Sequence, residues 1–200
     1  MNRALQQSKV MRMKIGVIGS GESPKPKLAY KARRVGEEIA RAGCILLTGS
    51  GLGVSYEAVK GAKEAGGFTV GFSPASGLRE HEKTYGFPTE LFDILVFTGF
   101  GLKGRNVLFV RTCDGVISIS GRIGTLNELT IAFDEHKAIG ILSGSGGVSD
   151  IFHDLAARTG KRGSRVVEDE DPRALVSKVM DTIKRRWNSR ARSSRARAKD

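Results

Sequence analysis

Two cysteines, three histidines and one tryptophan in 200 residues leave little room for several kinds of chemistry. Cys44 and Cys113 cannot build a disulfide framework. Each adjoins an apolar run, where a cysteine serves as a small buried hydrophobe. His81, His136 and His153 have no ligand spacing with one another or with the cysteines, so no metal site is expected. No apolar run nears the roughly 18–20 residues of a membrane span, and no membrane segment is expected. The opening MNRALQQSKVMRMK has no apolar stretch of the ~7–15 residues that a secretory signal needs, so the expected compartment is the cytoplasm. A G-x-x-x-x-G-K-[ST] phosphate loop is also missing. The dinucleotide fingerprint fails too: Gly19-x-Gly21 meets Pro24 where its third glycine belongs, and no acid follows the second apolar run for a ribose. These absences disfavour a P-loop hydrolase and a nicotinamide-dependent dehydrogenase. No resident cofactor is expected.

Glycine and positive charge are plentiful. The 26 glycines are nearly twice the usual share of about 7%. No Gly-X-Y period accounts for them, so they mark turns and close backbone approaches. Lysine and arginine number 33 against 21 acids, a net charge of +12. The excess lies at the ends. Residues 1–14 hold Arg3, Lys9, Arg12 and Lys14 with no acid, and residues 185–200 hold seven basic residues against Asp200, which leaves +2 for residues 15–184. The expected organisation is a basic extension over 1–13, one domain over 14–184 and a basic, disordered tail over 185–200. That tail is either solvated or a salt-sensitive anchor for RNA, DNA or another polyanion.

Between the ends, apolar runs of strand length alternate with helical stretches. The runs are Lys14–Ile18, Ile45–Thr48, Phe68–Phe72, Ile94–Thr98, Gly115–Ile119 and Ala138–Leu142, with a weaker one at Arg165–Val167. The helices are expected over Leu28–Ala42, Val54–Ala65, Arg105–Thr112, Thr125–Glu135, Val148–Arg158 and Pro172–Trp187. Leu28, Ala32, Val35, Ile39 and Ala42 step by three and four, which is one face of a helix. The strands are continuously apolar rather than alternating, so both their faces are covered. The fold class is therefore α/β: a doubly wound, Rossmann-like parallel sheet of six or seven strands with helices on both faces. Ligands bind such sheets at the carboxyl ends of the strands, near the switch point.

Three of the loops leaving those strands are rich in glycine. Gly19-Ser20-Gly21 follows the first strand, Gly49-Ser50-Gly51-Leu52-Gly53 the second, and Gly121-Arg122-Ile123-Gly124-Thr125 the fifth. Such a loop is either a tight turn or a cradle where backbone N–H groups and a helix start meet a phosphate. Three in one sheet point to a nucleotide or phosphosugar. Glu128 also has two readings. Thr125-x-x-Glu128 spells a capping box, and a carboxylate beside a glycine loop suits the sugar cation of N-glycoside cleavage. Arg105 is either a surface residue at a helix start or the cation for a 5′-phosphate.

The order Ile15–Ser20, TGSGLG, AVKGAKEAGGFTVGFSP, GRN and SGRIGTLNE resembles the Lonely Guy (LOG), "lysine decarboxylase-like" Rossmann family over about residues 14–160. Related branches are the molybdenum-cofactor carriers and the DprA/Smf group. The resemblance implies cleavage of a nucleoside 5′-monophosphate to free base and ribose 5-phosphate, with Glu128 and Arg105 catalytic. It further implies ligand contacts from Gly19, Ser20, Gly49, Ser50, Gly51, Gly53, Asn106, Gly121, Arg122, Gly124 and Thr125, and a homodimer. The branches imply the alternative of a nucleotide sensor or a carrier of a phosphorylated, molybdopterin-type molecule. A third reading, a nucleic-acid-associated protein, rests on the basic ends. The signature P-G-G-x-G-T-x-x-E keeps Gly121, Gly124, Thr125 and Glu128. Ser120 replaces its proline, Arg122 its second glycine, and Asn106 the lysine of the preceding Arg-Lys pair. A side chain at 122 either adds a phosphate contact or fills the ligand's space.

Overall fold

The computed structural model describes residues 11–160 and 163–197. Seven parallel strands form one sheet: β1 (Lys14–Gly19), β2 (Ile45–Thr48), β3 (Phe68–Ser73), β4 (Ile94–Phe97), β5 (Gly115–Ile119), β6 (Ala138–Leu142) and β7 (Val166–Asp169). Their spatial order is β4-β3-β2-β1-β5-β6-β7. The chain thus builds outward from β1 in one direction, returns, and builds outward from β5 in the other. The switch point lies between β1 and β5, which pair from Ile15↔Gly115 to Gly19↔Ile119.

Among the described residues six helices connect the strands, α1 (Pro26–Arg41), α2 (Val54–Glu64), α3 (Leu78–Lys83), α4 (Gly101–Thr112), α5 (Ile123–Asp134) and α6 (Gly147–Arg158), and α7 (Pro172–Arg197) follows β7. Residues of α1, α2 and α7 share one apolar cluster with Ile15, Val17, Leu46, Ile117 and Ile119. Residues of α4, α5 and α6 share the other with Ile18, Leu47, Val116, Ile139 and Ile141. Alternate residues of a strand thus feed opposite clusters, which is why the central strands are mostly apolar, with Thr48 and Ser118 the buried polar residues of β2 and β5. All five residues of β5 and of β6 are buried. β4 closes one edge of the sheet and stays partly exposed.

Two helical features differ from expectation. α3 was not foreseen; its His81 is buried, with Nδ1 2.8 Å from Ser73 Oγ and Nε2 3.0 Å from the Pro88 carbonyl. The last helix does not stop at Trp187: α7 runs on to Arg197. Residues 188–197 contain neither glycine nor proline, and arginine and alanine are strong helix formers. The rest of the expected tail, 198–200, lies outside the described residues, as do positions 1–10 of the basic extension. No helix among the described residues is long and apolar enough to cross a membrane, and no group of three or more His, Cys, Asp or Glu among them could hold a metal ion.

Candidate functional site

At the switch point the loop after β1 turns toward α1 and the loop after β5 toward α5, on opposite faces of the sheet. Their divergence opens a crevice of about 290 Å³. Gly19, Ser20, Gly21 and Glu22 form one wall; Arg122, Gly124, Thr125 and Glu128 form the other; Leu102, Lys103, Arg105 and Asn106 of α4 close it. No side chain caps the start of α5, whose N-cap is Arg122 in extended backbone. The first-turn N–H groups of a helix have no intrahelical partner and carry its positive end. Gly124 and Thr125 therefore bring an anion-seeking helix start to the crevice.

The floor of the crevice holds a buried ion pair. Arg105 is 7% exposed and Glu128 9%, with Nη1 3.9 Å from Oε1. Arg105 stacks near Phe109, one turn along α4, at 5.9 Å from the ring centroid. Its Nε and Nη1 are buried and make no hydrogen bond. Burial draws the arginine's pKa down, partly offset by Glu128. Burial also pushes the Glu128 carboxyl up to about 7, against the opposing pull of Arg105 and Lys103. An ion pair at 3.9 Å without a hydrogen bond repays little of the cost of desolvating two charges. Asn106 lies alongside. Its Nδ2 donates to Asn127 Oδ1 at 2.8 Å; with the amide turned over it donates instead to Glu128 Oε1 at 3.3 Å and to the Leu102 carbonyl at 3.0 Å.

The model of the SLOG cluster4 family matches residues 12–176. The chain belongs to this family. An uncharacterized protein of Archaeoglobus fulgidus is 39% identical to it over 132 residues, 65% of this chain and 80% of the relative. Among solved structures, the molybdenum cofactor binding protein of the phototrophic bacterium Rippkaea orientalis is 29% identical, with a TM-score of 0.71, covering 87% of this chain and 99% of its own. The molybdenum cofactor carrier protein of Chlamydomonas reinhardtii is 27% identical, with a TM-score of 0.70 over 87% of this chain and 99% of its own. The LOG-type resemblance and the α/β class expected from the motifs both hold.

Within this SLOG domain the expected site residues fall into two groups. Gly19, Ser20, Arg105, Asn106, Arg122, Gly124, Thr125 and Glu128 meet in the crevice. Gly49, Ser50, Gly51, Gly53 and Gly121 do not line it. Gly49 faces Arg105: an added Cβ would come within 1.7 Å of Nη1. Ser50 is fully buried and donates to the Phe72 carbonyl. Gly51 adjoins Phe87. The Val54 N–H donates to the Ser20 carbonyl at 3.0 Å, and Gly53 lies so near that carbonyl that a Cβ would sit 2.1 Å from it. Gly121, at φ +107°, accepts from Val148 N through its carbonyl.

Three local expectations need correction. The capping box does not form, because α5 starts at Ile123 and places Thr125 inside its first turn. Arg105 is not a surface residue at a helix start: α4 begins four residues earlier, and that turn carries the guanidinium inward. Arg122 does not fill the crevice; its side chain is 73% exposed and paired with Glu22 across the mouth. Two contributors were missed. Lys103 lines the crevice from α4. Ser143-Gly144-Ser145-Gly146-Gly147, after β6, is a fourth glycine loop of the same kind as the other three, and Ser145 Oγ accepts from the Ser120 N–H at 2.8 Å.

Proposed function

We propose that this protein binds a phosphorylated small molecule, a nucleotide or a molybdopterin-type phosphate, in the crevice between β1 and β5, and that it holds the molecule as a carrier does. The observation that carries the reading is Arg105. A desolvated guanidinium with two unbonded N–H groups and a carboxylate only at 3.9 Å is an expensive feature, and an anion in the crevice offsets its cost. The phosphate would meet the uncapped start of α5 at Gly124 and Thr125, as anions do at helix N-termini. The likeness to two molybdenum cofactor proteins supports a carrier. Mass spectrometry of the ligand that copurifies under native conditions tests this directly. A phosphorylated pterin or nucleotide is expected; a preparation with no bound small molecule and no AMP affinity would sink the reading.

A second reading, N-glycoside hydrolysis, is favoured by one observation: Glu128 is held near pH 7 beside the crevice. A group titrating near working pH is suited to acid–base catalysis. As the carboxylate it would take a proton from water attacking the anomeric carbon and pass it to the base that departs as the C–N bond breaks. Chromatographic assay of adenine release from AMP separates the readings: release above the uncatalysed rate makes the protein an enzyme, and none leaves a carrier. A second copy of the chain is proposed to cover the apolar side chains that α4 and its flanks expose, Phe100, Leu102, Val107, Leu108 and Ile123; light scattering should then give the mass of a dimer.

A further inference from the structure

The chain continues from the crevice wall into Ser23-Pro24-Lys25-Pro26-Lys27, a segment whose backbone has little freedom. Proline fixes its own φ and forces the residue before it to be extended. Lys25 duly sits at φ −59°, ψ 152°, and Pro26 opens α1, where a missing N–H costs nothing. Lys25 and Lys27 are exposed, and neither belongs to an ion pair among the described residues. Lys31, one turn along α1, donates to the Glu170 carbonyl at 3.0 Å. The three lysines surround a hollow of about 700 Å³, more than twice the size of the Arg105 crevice. Its far wall is Ser143-Gly144-Ser145 of the fourth glycine loop, with Gly144 at φ +69°.

Ser20 and Glu22 line both spaces, so the hollow and the crevice are neighbours on either side of the β1 loop. Two acids border the hollow. Glu22 is paired with Arg122, and Glu170 lies by the Lys31 amine that its own carbonyl accepts from. The remaining balance is basic. Hydroxyls from Ser23, Ser120, Ser143 and Ser145 add donors.

We propose that this hollow is a second anion subsite, and that the ligand class is one with two linked phosphates, the diphosphate passing over Ser20 from the start of α5 to Lys25 and Lys27. The proposal rests on the crevice reading for its first phosphate only. The experiment is calorimetric titration of the full chain with AMP and with ADP, repeated on the double variant Lys25→Ala/Lys27→Ala. Both positions are exposed, so the variant should keep the wild-type melting temperature. ADP should bind at least tenfold more tightly than AMP, and the double variant should lose that margin while its AMP affinity stays within about twofold. Equal affinities for AMP and ADP, or a margin that survives in the double variant, would overturn the subsite. If AMP does not bind, the subsite is decided by inorganic pyrophosphate, which needs no nucleotide in the crevice. Amide shifts at Gly144 and Ser145 in wild type but not in the double variant sustain it; no shifts there, or the same shifts in the variant, end it.

Discussion

The loops Gly49–Gly53 and Gly121–Gly124 look alike along the chain: each follows a buried strand, each spaces glycines by one or two residues, and each leads into a helix. Their neighbours differ. Around Gly49 and Gly53 the nearest atoms belong to the protein, Arg105 Nη1 at 1.7 Å and the Ser20 carbonyl at 2.1 Å from an added Cβ. Around Gly124 the nearest atom is Lys103 Nζ at 3.7 Å, across the crevice. The first loop uses glycine to let the protein close on itself, bracing Arg105 and the β1 loop. The second closes on Thr125 at Gly121, where an added Cβ would come within 2.4 Å of Oγ1, but leaves space beside Gly124 that the protein does not fill. Glycine spacing alone cannot tell a brace from a cradle; the atoms opposite can.

The largest effect expected from this contrast is on stability, at Gly53. Alanine there would carry a left-handed φ of +80° and a Cβ 2.1 Å from backbone, and neither can relax cheaply. A loss of about 3 kcal/mol or more is expected from strain and overpacking together. Urea denaturation checks it, and a wild-type midpoint would break the assignment of this loop as a brace.

An effect of similar size should appear as pH dependence, from Glu128. Its carboxyl is held at about 7 by burial, against 4.5 for the unperturbed group. Between those values the folded state binds the extra proton, so stability from this group is full below about pH 4.5 and falls as pH rises through 7. The shift corresponds to roughly 3 kcal/mol. Glu128→Gln should flatten the decline between pH 4.5 and 7 in paired denaturation series; parallel slopes would show that Glu128 is not desolvated. The Lys103 amine is the handle on this shift from α4, since it opposes the rise.

Gly49→Ala sharpens the comparison through binding. Its Cβ can be accommodated only if the Arg105 guanidinium moves. If Arg105 serves the ligand's phosphate, Gly49→Ala should weaken AMP as Arg105→Ala does, by roughly 10- to 100-fold, the worth of a charge-assisted contact of about 1.5–3 kcal/mol. Calorimetry on both variants is the check. An Arg105→Ala variant with wild-type affinity removes Arg105 from the site and the brace from any part in binding.

How far the chain announced this arrangement varies by element. Ile45–Thr48, Gly115–Ile119 and Ala138–Leu142 were legible to the residue, because a strand covered on both faces is apolar nearly throughout, and the polar exceptions Thr48 and Ser118 are hydrogen-bonded inside the protein. α3 was not legible: its six residues are mostly charged, and what holds it is the tertiary bond of His81 to Ser73. The end of α7 was hidden by the density of like charge over 185–197, where arginine and alanine nonetheless favour helix. Arg105 and Glu128 lie 23 positions apart, so only the family resemblance joined them before the fold did. The capping box misled because its local pattern was genuine, while α5 starts two residues ahead of it. The loop at Ser143–Gly147 was readable by the same rule as its three counterparts and was passed over.

Gly124→Ala should have the smallest effect on stability and completes the contrast with Gly53. Gly124 is the second residue of α5 and has no positive φ. Its added Cβ meets only the flexible end of Lys103 at an ordinary contact distance. Alanine is the better helix former by up to about 1 kcal/mol, so the variant should be as stable as wild type or slightly more so. The same methyl projects into the crevice at the start of α5, where the phosphate is proposed to approach the backbone. AMP affinity should therefore fall while the urea midpoint holds or rises. One substitution type, made in two loops of like sequence, would then give opposite results: stability lost at 53, affinity lost at 124. If Gly124→Ala binds AMP as wild type does, the phosphate does not rest on this helix start, and the space beside Gly124 is not the cradle.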